Sequence, residues 1–114
     1  MNAVMKSIAL LSGFLCASAF GAPATETVMI QKFAFAPREI KVAPGSTVTW
    51  TNKDETPHTL SANDHTFVSK ALDTDDHFEH TFVTEGDFSY FCTLHPFMTG
   101  VVHVRAGTGA AGAR

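Results

Sequence analysis

The chain has 114 residues, carries eight Lys and Arg against eleven Asp and Glu, and is 45% hydrophobic. That composition fits one folded domain and is too short for a Rossmann dehydrogenase, a TIM barrel or a kinase. A net charge of −3 excludes a general nucleic-acid binder, which would present a basic face. Ten Phe against one Trp and one Tyr point to a core of large nonpolar rings.

Residues 1–24 read as a secretory leader. Lys6 supplies the positive start, residues 8–17 are apolar, and small residues follow, with cleavage expected after Ala19, Gly21 or Ala24. The apolar stretch is short against the roughly 20 residues a membrane span needs, and no stop-transfer flank follows. Leu15 before Cys16 argues against a lipid anchor, where a small residue is wanted. The expected location is therefore the periplasm, without stable membrane association. Cleavage removes Lys6 and Cys16, which leaves seven basic residues against eleven acidic, a net charge of −4. Cys92 then stands alone. Small secreted domains use cysteines in pairs, so a single thiol in an oxidising compartment calls for another role, and metal ligation is one of few good ones.

From residue 25 onward apolar residues alternate with period two. Val28-Met29-Ile30 with Phe33 and Phe35 read as one apolar run. Ile40 and Val42, Val48 and Trp50, Phe78, His80 and Phe82, Phe88, Tyr90 and Cys92, then Val102 and Val104 mark further strands. Ala43-Pro44-Gly45-Ser46, Asn52-Lys53-Asp54, Asn63-Asp64 and Glu85-Gly86-Asp87 are turn signals between them. Seven or eight short strands over residues 25–105 imply an all-β antiparallel sandwich of two sheets. His80 reads as a buried, hydrogen-bonded residue; His65, His77 and His103 read as surface or edge residues. Asp73, Asp75 and Asp76 read as a solvated turn, since an EF-hand loop wants Gly where Phe78 stands. Residues 106–114 carry no apolar pattern and read as a disordered tail.

The chemistry concentrates at Tyr90-Phe-Cys92-Thr-Leu-His95-Pro-Phe-Met98. Cys92, His95 and Met98 are three apart in a tight loop that Pro96 stiffens and from which Gly100 lets the chain re-enter the sheet. Thiolate, imidazole and thioether form a soft set that suits copper in both oxidation states. A blue-copper site needs a second imidazole. His58, in Thr56-Pro57-His58-Thr59, is the choice, because a sheet can bring that loop beside the end of the Cys92 strand. Zinc is a poorer fit to a thioether, and a Cys92–His95 nucleophilic pair would leave Met98 idle.

The Cys92-Thr-Leu-His95-Pro-Phe-Met98 loop, Pro57-His58 and Gly45-Ser-Thr-Val-Thr-Trp50 together resemble the cupredoxins, and the short loop is most similar to that of the amicyanins. The resemblance implies a Greek-key β-sandwich holding one type 1 copper through His58, Cys92, His95 and Met98. It implies a monomeric one-electron carrier rather than an enzyme, with redox partner proteins docking at an apolar surface around His95, Pro96 and Phe97. Copper delivery from the same ligands is the alternative. One position departs from the pattern. Plastocyanin-like and amicyanin-like relatives usually carry Asn after the upstream His, where it ties the two ligand loops together; here Thr59 stands, whose hydroxyl offers one donor instead of two.

Overall fold

The computed structural model describes residues 21–107. Most of the expected leader and of the expected tail lies outside the described residues. Eight strands follow one another: β1 (Thr25–Gln31), β2 (Ala34–Ala36), β3 (Glu39–Val42), β4 (Ser46–Asn52), β5 (Ser61–Ala62), β6 (His77–Phe82), β7 (Gly86–Phe91) and β8 (Thr99–Val104). They form two four-stranded sheets, in the orders β2-β1-β4-β6 and β3-β8-β7-β5. The expected two-sheet sandwich is present. Its pairing is mixed, however: β1 runs parallel to β4, and β3 parallel to β8. The chain passes to the opposite sheet between β2 and β3 and returns before β4.

Alternation along each strand decides which face is buried. Ser46, Val48, Trp50 and Asn52 of β4 point inward, as do Gly100, Val102 and Val104 of β8. Trp50 is fully buried and lies 5.4 Å from the Tyr90 ring and 5.6 Å from the Phe67 ring, joining the two sheets. Truncating so large a buried ring to Ala costs about 3–5 kcal/mol, a large share of a small domain's stability. At the N-terminal end, the Ala24 N–H donates to Ser46 Oγ at 3.0 Å and the Thr47 N–H donates to the Ala24 carbonyl at 2.9 Å, ahead of the β1–β4 ladder.

Three local expectations change. The apolar run over residues 28–35 is two strands, broken by a turn at Lys32-Phe33 that leaves Phe33 41% exposed. His80 is half-buried and packs its ring on Phe67 and Phe82, at 5.0 and 4.8 Å; burial pushes its imidazole below the ordinary range. Gly100 serves space rather than re-entry, because it pairs with Tyr90 across the β7–β8 ladder and a Cβ there would collide with the Tyr90 phenol. His65 and His77 are exposed, and the Asp73–Asp76 turn is solvated as expected, with Asp75 paired to Lys53.

Candidate metal centre

The loops leaving β4 and β7 meet at one end of the sandwich. The first is shaped by Asn52, the buried last residue of β4. Its side-chain amide donates to the carbonyls of Thr56 and Leu72, both at 2.9 Å, and its side-chain oxygen accepts from the Asp54 N–H at 2.9 Å. His58 is then locked against Leu72 by a two-way backbone bridge of 3.1 and 2.7 Å. The second loop closes on itself. The His95 N–H reaches the Cys92 carbonyl, the Met98 N–H reaches the His95 carbonyl, and the Cys92 N–H reaches the Met98 carbonyl, at 3.2, 2.8 and 3.1 Å. These bonds hold residues 92, 95 and 98 in one compact turn beside His58.

His58, Cys92 and His95 are brought together. The two Nδ1 atoms are 3.2 Å apart, and the Cys92 Sγ lies 3.6 Å from the His95 Nδ1 and 3.9 Å from the His58 Nδ1. A triangle with those three sides has its corners about 2.1 Å from a common centre, close to the ~2.0–2.3 Å of zinc bonds to imidazole nitrogen and thiolate sulfur. Burial is graded: His58 and Cys92 are fully buried and His95 is partly exposed. Met98 stands at the loop's end with its backbone clamped to Cys92 and its side chain buried.

The protons around this triangle are set by its neighbours. His58 Nε2 is 2.8 Å from Asp54 Oδ2. A carboxylate accepts there, so Nε2 is the donor and, in the neutral ring, Nδ1 presents its lone pair toward the centre. Asp54 also accepts from the Lys32 and Phe33 N–H groups, at 2.7 and 3.0 Å. Partial burial works to raise its carboxyl, but the bonds from Phe33, His58 and Lys32 outweigh it and hold the group below the usual carboxylate range. The Cys92 sulfur accepts from the Thr59 N–H at 3.3 Å and faces the Thr59 hydroxyl at 3.7 Å. The Nδ1 atoms of His58 and His95 and the Cys92 sulfur converge in a largely buried pocket, close enough to share a proton or to hold a cation between them. The donors fit a soft metal ion, and copper suits a thiolate with two imidazoles.

Two features were not read from the sequence. Asp54 counted there only as a turn signal, although it stands four residues before His58. Phe33 was assigned to a strand; its ring in fact stands edge-on to both imidazoles, 5.3 Å from His58 and 5.1 Å from His95. Thr59 does tie the loops. Its hydroxyl accepts from the Thr93 N–H and meets the Thr93 hydroxyl, each at 2.8 Å.

Comparison with known proteins agrees with this centre. Residues 23–105 match the family described as copper binding proteins, plastocyanin/azurin family. Amicyanin-alpha of Methylorubrum extorquens is 36% identical over 89 residues, covering 73% of this chain and 75% of that protein. Among solved structures, a purple cupredoxin from Nitrosopumilus maritimus superposes with a TM-score of 0.67 at 33% identity, covering 70% of this chain and 99% of that one. A copper-containing nitrite reductase from Thermus scotoductus SA-01 also matches, with a TM-score of 0.67 at 26% identity, but over only 22% of its length. The chain belongs to the cupredoxins, the copper-binding plastocyanin/azurin family, and among them it is similar to the amicyanins.

Proposed function

We infer that this protein is a periplasmic one-electron carrier, exported by residues 1–24 and folded over residues 25–105, whose copper is held by His58, Cys92, His95 and Met98. The observation that carries the reading is the convergence of two Nδ1 atoms and one Sγ from loops of both sheets. Copper supplies a +1/+2 couple that moves one electron at a time.

The chain's own residues supply rigidity. Outer-sphere transfer is fast when the geometry barely changes between oxidation states. Here the His58 ring is held by Asp54 and the Leu72 bridge, and the Cys92–Met98 turn is held by its own backbone bonds. The Thr59 N–H bond to sulfur is the kind of outer contact that tunes a potential. His95 is the partly exposed imidazole, and Leu94 and Phe97 beside it are 51% and 72% exposed. That apolar rim, with Pro96, suits a small and quickly released contact with a redox partner. The protein acts as a monomer in this role. On this reading it is a carrier and not an enzyme.

The test is direct. Copper(II) added to the purified mature protein gives an intense visible thiolate band, ascorbate bleaches it reversibly, and Cys92→Ser abolishes it. Absence of the band in the wild type overturns the ligand assignment. Loss of copper to a chelator within minutes, in place of retention, moves the function to copper delivery.

A further inference from the structure

The turn between β1 and β2 is built against its own preferences. Lys32 and Phe33 both have φ of 57°, in the left-handed region. A two-residue hairpin turn with both angles positive favours Asn-Gly, and a bulky side chain there is an outlier. Such strain persists where the surroundings over-determine it, and it clusters at functional sites. Here the surroundings are the Asp54 carboxylate. Its Oδ1 takes the Lys32 N–H, and its Oδ2 takes the Phe33 N–H while facing His58 Nε2. One carboxylate thus fixes both a metal-facing imidazole and the backbone that carries Phe33.

The effect is to hold an aromatic ring against both imidazoles of the centre. Phe33 meets the His58 ring at 89° and the His95 ring at 88°, while those two rings are 5.0 Å apart. His58, Cys92 and Met98 are buried, while His95 is partly exposed and both aromatic rings beside it, Phe33 and Phe97, reach solvent.

We propose that Phe33 is the cover of the metal centre, an aromatic gate pinned by Asp54 that sets how fast copper enters and leaves. This rests on the ligand assignment above and goes beyond it, because it concerns access rather than coordination. The gate opens by lifting the ring from both imidazoles.

Two variants separate the ring from the turn. Phe33→Ala removes the ring and keeps a side chain in the left-handed region. Phe33→Gly removes the ring and relieves the turn. Copper(II) uptake by the metal-free protein is followed by growth of the thiolate band in stopped flow, and copper(I) loss by transfer to excess bathocuproine disulfonate. Both variants are expected to exchange copper about tenfold faster than wild type in each direction, since two edge-on ring contacts no longer have to open. The band position stays unchanged, and Phe33→Gly unfolds at a temperature no lower than Phe33→Ala. Exchange within about twofold of wild type in both variants, with the band intact, overturns the gate. A wild-type protein that shows no band at all overturns the ligand assignment instead, so the two failures are told apart.

Discussion

Thr59→Val is the sharpest test of how the two loops are joined. Valine keeps the shape of threonine and removes the hydroxyl alone. In the wild type that hydroxyl accepts from the Thr93 N–H at 2.8 Å and meets the Thr93 hydroxyl at the same distance. Thr59 is 9% exposed, so its side of the contact is dry. Leaving a buried donor without a partner costs about 1–3 kcal/mol. Thr93 itself is exposed, and water can approach it from outside, which places the loss in the lower half, about 1–2 kcal/mol. For a domain of this size that is a fall in unfolding temperature of about 5–15 °C. The copper band is expected to survive, because the Thr59 backbone N–H still reaches the sulfur at 3.3 Å. Thermal and urea unfolding of the metal-free protein measure the effect, with Thr59→Ser as the control that keeps the hydroxyl. A Thr59→Val protein within about 0.5 kcal/mol of wild type would refute the claim that this hydroxyl ties the loops.

Gly100→Ala forces a Cβ into the Tyr90 ring, which is itself held by Trp50 at 5.4 Å and Phe35 at 4.8 Å. Overpacking of this kind costs about 1–3 kcal/mol, and the upper end is expected here because the ring cannot yield; urea titration reads it. Phe97→Asp should slow electron exchange with a redox partner while leaving the visible band unchanged, and an unchanged exchange rate would remove Phe97 from the docking surface. His103 bridges Glu39 at 2.9 Å and Asp87 at 2.7 Å, with Arg38 on Glu39 and Arg105 on Asp87. The Glu39 bond first, then that of Asp87, raises the His103 imidazole above its ordinary range, and the bond to His103 lowers both carboxyls. A raised imidazole stabilises fully below its unfolded pKa and loses that contribution as pH rises through the folded value; the lowered carboxyls lose theirs as pH falls. The stability gap between wild type and His103→Gln should therefore be widest at about pH 4.5–6.5 and close toward pH 8. A gap that is flat across that range in melting experiments would contradict the sign. It should stay small, since the carboxylates are more than half exposed and screened.

The alternation of Val48 with Trp50 and of Val102 with Val104 was enough to place β4 and β8, because burial on one face imposes period two whatever the partner strand. The same alternation does not distinguish parallel from antiparallel pairing, because a half-buried strand alternates equally beside either neighbour. The donors Cys92 and His95 were legible because their spacing survives any detail of the loop. The turn at Lys32-Phe33 was not, since neither residue is Gly or Asn and the conformation is imposed by Asp54, 22 residues away. Asp54 and Phe33 act through space on His58, and nothing in the local sequence of either announces it. Thr59 lay between these cases. Its position marked it, but its bond to Thr93 required the two loops to be seen side by side.

The backbone of Ala24 bears on where the proposed leader would best be cut. Ser46 Oγ, on a residue with no exposure, receives the Ala24 N–H, and the Thr47 N–H gives to the Ala24 carbonyl. A peptidase cut after Ala24 would strip both partners and fray the first rung between β1 and β4, at about 1 kcal/mol for each bond. Cuts after Ala19 or Gly21 would leave the rung whole, so a chain cut at either site would be sturdier than one cut after Ala24.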